Sequence, residues 1–149
     1  MFMSKTYKGL FRPKNPSKYR GDPSNIIFRS SWELRFMTYL DAHPDVLEWS
    51  SEEFCIPYVS PIDGRIHRYF PDFLVKQKNL HGMVETVVVE IKPQTQTVEP
   101  KIQQRKTKRY INEVVTWGIN SAKWQAAMEF CKKKGWKFRI FNEHHLGIK

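Results

Sequence analysis

Residues 69–93 read "YFPDFLVKQKNLHGMVETVVVEIKP", and the fold turns on how this stretch is interpreted. Its second half, "ETVVVEIK", is dominated by β-branched residues and reads as a strand. Its first half belongs to "RIHRYFPDFLVK", residues 65–76, which reads as the strand before it. Side chains alternate along a strand, so Glu90 and Lys92 share one face while Ile91 and the valines before it pack the other way. Asp72 follows Pro71 in the earlier strand, and an antiparallel neighbour would bring its carboxylate close to Glu90. Two carboxylates that close repel each other unless a cation lies between them. Hard oxygen ligands of this kind suit Mg²⁺, which takes one or two protein carboxylates and keeps room for water and substrate phosphate. Such an ion polarises a phosphate and lowers the pKa of a bound water. Lys92 would position that water and offset charge in the transition state, and the Ile91 carbonyl would add a ligand.

The tripeptide Glu-x-Lys has little weight alone. Ten glutamates and sixteen lysines in 149 residues place about one such pattern in the chain by chance, and two occur, the other being Glu99-Pro100-Lys101. The weight rests on the combination of Pro71-Asp72, a Glu-x-Lys closing the next apolar strand, and a carboxylate on the preceding helix. The competing reading makes these residues strand-end charges in cross-strand pairs. Glu33 has two readings as well. Ser30-Ser31-Trp32-Glu33 fits a capping box, in which Glu33 satisfies a backbone N–H. Alternatively it projects toward Asp72 and Glu90 as a ligand for a second metal or as an orienter of water.

Working outward, "SSWELRFMTYLDAHP" spaces Trp32, Phe36, Met37 and Leu40 as an amphipathic helix from Ser31 to Ala42. "EEFCIPYVS" and "RIHRYFPDFLVK" flank the turn-forming Pro61-Ile62-Asp63-Gly64 and read as antiparallel strands, which with "ETVVVEIK" make a three-stranded meander. Residues 98–117 suggest a helix interrupted at 118–121, followed by a second helix capped by Ser121 and stopped by Gly135. "WKFRIF" is the final strand. A strand returning after helices implies a mixed α/β sheet. Residues 1–27, with Pro13, Pro16, Pro23, Gly9 and Gly21 and no periodicity, read as an extended basic arm, and 28–149 as a single domain.

Lys and Arg number 25 against 15 Asp and Glu, a formal charge of +10, and the excess is clustered. One cluster includes Lys14, Lys18 and Arg20, a second Lys101, Arg105, Lys106, Lys108 and Arg109, and a third Lys132, Lys133, Lys134, Lys137 and Arg139. Such a field favours a polyanion, most often nucleic acid, although charge alone also describes a merely solvated surface. No apolar run approaches the roughly 20 residues of a membrane span, so a soluble protein without membrane contact is expected. The two cysteines, Cys55 and Cys131, have no thiol neighbour at metal-ligand spacing, which favours a reducing compartment.

Pro71-Asp72 with Glu90-Ile91-Lys92 resembles the signature of the PD-(D/E)xK nuclease superfamily, whose fold is the restriction-endonuclease α/β core. Ser31-x-Glu33, "YFPDFLV", "VVVEIKP" and "SAKWQAAMEFCKKKGWKFRIF" together resemble the N-terminal endonuclease domain of TnsA-like proteins. Those proteins often carry glutamine where Glu90 stands, so the chain is closer here to the general superfamily pattern. The opening "GLFRPKNPSKYRGDP" and the overall length look like the head completion nucleases of T-even-type tailed phages. The resemblance implies endo- and exonuclease activity dependent on Mg²⁺, with Mn²⁺ substituting, on packaged double-stranded DNA. It implies Glu33, Asp72 and Glu90 as metal-binding carboxylates and Lys92 as the catalytic lysine. It also implies head, portal or neck proteins as partners, a homodimer for cutting both strands, and action in the host cytoplasm during virion assembly or in the virion. The expected DNA contacts are Lys14, Lys18, Arg20, Lys101, Arg105, Lys106, Lys108 and Arg109. The alternatives are a non-catalytic DNA-binding assembly protein, or a transposition or resolvase-type endonuclease of the same fold.

Overall fold

Helix α1 (Ser31–Ala42) begins where the sequence places it, with Ser30 as its N-cap, and buries Trp32, Phe36, Met37 and Leu40 along one face. The computed structural model describes residues 8–148. Residues of the expected arm before Lys8, Lys5 among them, lie outside the described residues.

The rest of that segment is built into the domain. β1 (Gly9–Phe11) pairs antiparallel with β2 (Ile26–Phe28), and Phe11, Tyr19, Ile26 and Phe28 join the core under α1. The boundary expected between residues 27 and 28 therefore falls inside β2. The apolar residues of the segment are spaced too irregularly to show a period, yet Phe11, Tyr19 and Ile26 anchor it in the core.

The central sheet has four strands in the order β3 (Val46–Ser51), β6 (Phe73–Lys78), β7 (Val84–Ile91), β8 (Lys137–Phe141). β3, β6 and β7 run antiparallel, and β8 returns parallel to β7, giving the mixed α/β sheet expected. The three-stranded meander is corrected in two respects. The strand β3 has no counterpart among the expected elements, because a register shift between Val46 and Glu48 disturbs its alternation. The run "RIHRYFPDFLVK" is two strands rather than one. β5 (Ile66–Tyr69) pairs only with β4 (Ile56–Val59) in a separate hairpin, and β6 starts afresh at Phe73. The break is at Pro71, which has no N–H for a ladder and whose ring is fully buried.

A single helix, α2 (Lys108–Lys134), replaces the two expected. Thr107 caps it by accepting the Tyr110 N–H at 3.1 Å, so Ser121 is mid-helix and residues 98–107 are not helical. Gly118 does not interrupt it, because packing on both sides outweighs the roughly 1 kcal/mol that an interior glycine costs. Gly135 ends it with φ 72°, as the sequence indicates. The sheet thus separates two apolar layers. Val87, Val89 and Ile91 face α1 and the β1–β2 hairpin, while Trp124 and Ala127 of α2 pack with Ile56, Tyr58 and Tyr69 on the opposite face.

Candidate active site

The break at Pro71 shapes the site. It lets neighbouring residues serve two sheets, so that Tyr69 ends the hairpin strand and Asp72 immediately precedes the central one, both against Glu90 near the end of β7. The Tyr69 hydroxyl donates to Glu90 Oε1 at 2.7 Å. Asp72 Oδ2 accepts the Ile91 N–H at 2.8 Å. Lys92 Nζ stands 3.8 Å from Glu90 Oε2, and its own N–H donates to the Phe141 carbonyl of β8 at 2.9 Å. Glu90, Asp72 and Lys92 therefore converge as the strand reading requires.

Burial dominates the electrostatics of the two carboxyls. Burial pushes the Asp72 carboxyl well above its usual range, and the Glu90 charge pushes it further, against the pull of the Ile91 amide and Lys92. Burial also raises Glu90, opposed by the Tyr69 hydroxyl, Lys92, the Asp72 amide and Lys123.

Glu33 performs the capping role. Its N–H donates to Ser30 Oγ, and its Oε1 accepts the Arg29 N–H, each at 3.1 Å. Burial raises its carboxyl too, and the charges of Glu52 and Glu90 add to the rise. Glu33 is thus in the electrostatic neighbourhood of the pair while its carboxylate is held at the start of α1. Glu52 stands beside it at a left-handed φ of 54°, rare for a residue with a side chain, and its N–H donates to the Asp72 carbonyl at 3.2 Å. The Arg29 side chain pairs with Glu52 at 3.0 Å.

Among the described residues, no three His, Cys, Asp or Glu side chains are grouped to hold a metal. A site of two carboxylates still fits Mg²⁺, which commonly takes one or two and fills its remaining positions with water and phosphate. The observation in favour is that burial raises both Asp72 and Glu90, and that the Glu90 charge raises Asp72 further. A divalent cation would offset the charge of such a pair.

Two residues at this site escape a reading of the sequence. Tyr69 looks like an ordinary strand aromatic there, and only its position before the Pro71 break could mark it. Lys123 belongs to α2, and its Nζ lies 5.9 and 5.7 Å from the ring centroids of Tyr58 and Tyr69. Its place beside Trp124 gives it no distinction in a basic sequence.

The basic clusters divide by surroundings. Lys18 Nζ donates to the carbonyls of Asp41 and His43 at 3.0 and 2.8 Å, and Arg20 pairs with Glu48. Both take part in holding the N-terminal segment on the domain; Lys14 has an exposed side chain, while its backbone N–H donates to Asp41. The last turn of α2 carries Lys132, Lys133 and Lys134, where cations complement the helix dipole, and Lys137 pairs with Glu85 at 2.9 Å. The second cluster differs. Lys101, Arg105 and Lys106 lie exposed on the loop before α2, and Lys108 and Arg109 occupy its first turn, which has no acid and where the dipole disfavours cations. Lys108 and Arg109 line a groove of about 990 Å³ between α2 and the loop after Lys92, together with Val98, Trp117 and Asn120.

Comparison with known proteins agrees with this geometry. The chain is 41% identical over 144 residues to the head completion nuclease of Enterobacteria phage T4, an alignment covering 94% of this chain and 93% of that protein. Residues 43–143, which contain Asp72, Glu90, Lys92 and the whole of α2, match the family model described as TnsA-like endonuclease N terminal. With most of its length matched by that model and Asp72, Glu90 and Lys92 meeting at one end of β7, the chain belongs to the TnsA-like endonuclease N-terminal family.

Proposed function

We propose that this protein is a Mg²⁺-dependent deoxyribonuclease of the restriction-endonuclease-like fold that cleaves or trims packaged DNA as phage heads are completed. The observation that carries the reading is the convergence of Asp72, held by the Ile91 amide, and Glu90, held by the Tyr69 hydroxyl, with the Lys92 ammonium 3.8 Å from Glu90. Asp72, Glu90 and the Ile91 carbonyl hold the ion, with Mn²⁺ able to replace Mg²⁺. The ion supplies Lewis-acid polarisation of the scissile phosphate and a more acidic water. Tyr69 fixes the Glu90 carboxylate, and the Ile91 amide fixes that of Asp72. Lys92, anchored through its backbone to β8, presents its ammonium to the phosphate and to the attacking water. Glu33 orients water from the start of α1.

Lys101, Arg105, Lys106, Lys108 and Arg109 bind phosphates, with Lys14 as an outlying contact. Phosphate contacts position a duplex without reading its sequence, so little sequence preference is expected. The biological setting follows the relative's name: host cytoplasm during assembly, in contact with head, portal or neck proteins, and retention in the virion is compatible with that role. A homodimer would let one encounter cut both strands.

The test is cleavage of supercoiled plasmid and linear duplex with Mg²⁺ or EDTA, beside Asp72→Ala. Mg²⁺-dependent cutting that the variant lacks is the expected result. If neither protein cuts with any divalent metal while both bind DNA, the fold serves as an assembly scaffold instead.

A further inference from the structure

Lys92 is one of two ammonium groups that flank Glu90; the other comes from the opposite layer. Lys123 projects from α2 over the Tyr58 and Tyr69 rings, and the latter's hydroxyl holds Glu90. Its position is intermediate in exposure. Among the described residues, no carboxylate lies within ion-pair distance of its Nζ and no hydrogen bond to an acceptor forms, whereas Lys18, Lys92 and Lys137 each have such a partner. A partly desolvated ammonium on two aromatic faces retains a need for an anion, since cation–π attraction replaces only about 0.5–2 kcal/mol of lost hydration.

The lining of the groove beside α2 ends at Asn120, one helical turn before Lys123. Arg109, Glu113, Thr116 and Asn120 line it, each three or four residues from the next, so they form one face of the helix, and Lys123 is the next position on that face. Asn120 is a buried polar side chain at the inner end of the groove. The opposite wall, Thr95 to Pro100, follows closely after Lys92 in the chain. The α2 wall of the groove therefore runs from Lys108 and Arg109 to Asn120, and Lys123 continues that helix face one turn further on.

We propose that Lys123 is a phosphate-binding residue of the cleavage site, holding the backbone of the DNA strand that enters along the groove between α2 and residues 95–100. The inference rests on the nuclease reading for its ligand. It adds a second cation, on a different element from Lys92, that grips the strand beside the scissile bond. The competing possibility is packing alone, with the lysine stem covering two tyrosines. Lys123→Met retains that stem and removes the charge, and Lys123→Arg restores the charge.

Binding of a short fluorescent duplex is measured in EDTA across a salt series, and kcat and KM for linear duplex are measured with Mg²⁺. For Lys123→Met the salt slope falls by about 0.9, the value for one phosphate no longer neutralised. KM rises about 10-fold with a smaller change in kcat, as for an interaction made equally in ground and transition states. Lys123→Arg recovers most of both, and the Tm of each variant stays near that of the unaltered protein. An unchanged salt slope and KM in Lys123→Met overturn the proposal, as does a defect that Lys123→Arg leaves in place. If Lys123→Met does not fold, Lys123→Gln is read by the same slope. If the unaltered protein binds but never cuts, the nuclease reading fails while the EDTA binding series still decides whether Lys123 holds phosphate.

Discussion

Replacing Tyr69 with phenylalanine removes one oxygen from the middle of the site. That oxygen donates to the Glu90 carboxylate at 2.7 Å, and both side chains are buried, so solvent screens the bond little. A hydrogen bond to a charged group contributes about 1.5–3 kcal/mol net. The ring remains beneath Lys123 and within the α2 layer, so little packing is lost. At about 2–4 °C per kcal/mol for a chain of this size, the Tm should fall by about 3–12 °C at neutral pH. The pH dependence has a definite sign. The hydroxyl holds the Glu90 pKa down against burial, so its removal raises that pKa further. The carboxylate form then appears only at higher pH, and the acid limb of the cleavage profile moves upward. Because the bond favours the charged form, the difference in Tm should shrink as pH falls toward the ordinary carboxyl range near 4. Scanning calorimetry from pH 4 to 8 and pH–rate profiles with Mg²⁺ read both effects. A Tm loss below about 1 °C at pH 7–8, or an acid limb that stays put, would refute the assigned role.

Asp72→Asn should lose about a hundred- to a thousandfold in cleavage and keep its DNA affinity in filter binding. The folded-state pKa of Asp72 is raised, so its contribution to stability is present below the ordinary value of 3.8 and is lost as pH rises through the folded value. The asparagine variant should therefore melt above the unaltered protein at pH 7–8 without metal, converge with it near pH 3–4, and show a smaller thermal shift on adding Mg²⁺. A variant that melts lower throughout would contradict the repulsion between Asp72 and Glu90. Gly118→Ala should raise the Tm by about 1–4 °C, from about 0.5–1 kcal/mol of helix stabilisation. Its new methyl would meet Pro61 at an ordinary 3.9 Å, and a fall in Tm would show that the helix needs glycine there. Replacing Lys101, Arg105 and Lys106 with glutamine should weaken duplex binding similarly for all sequences and lower the salt slope by about 0.9 for each phosphate left without its cation; an unchanged slope would move the DNA elsewhere on the surface.

The carboxylates and lysine of the site are legible in the sequence because strand alternation and the Glu-x-Lys spacing are local signals. Helix α1 is legible to the residue for the same reason: an N-cap, a clean apolar face and a following proline all lie within one short window. What escapes depends on distant partners. β3 becomes a strand through its pairing with β6, despite a register shift, and β1 and β2 exist because they pair with each other across 14 intervening residues, from Arg12 to Asn25. Gly118 suggests a break that packing overrides. Pro71 stands out in the sequence as part of a motif, and its effect on strand pairing shows only in the structure. Tyr69 and Lys123 carry no local mark, because each matters only through its distance from Glu90 or from an aromatic ring.

The parallel strand β8 gives the site a place in time. Lys92 is fixed through its N–H by Phe141, the next loop is tied down by Glu143 accepting the Gln94 N–H at 2.8 Å, and the Asn142 side chain donates to Gln94. Gln94 and Glu143 are 49 positions apart, about 2–10 s of translation at roughly 5–20 residues per second. A chain still on the ribosome has already made Glu33, Asp72, Glu90 and Lys92 while the strand that holds their outer edge has yet to emerge. Until β8 emerges, the backbone bond that fixes Lys92 and the bonds that tie down Gln94 remain unmade.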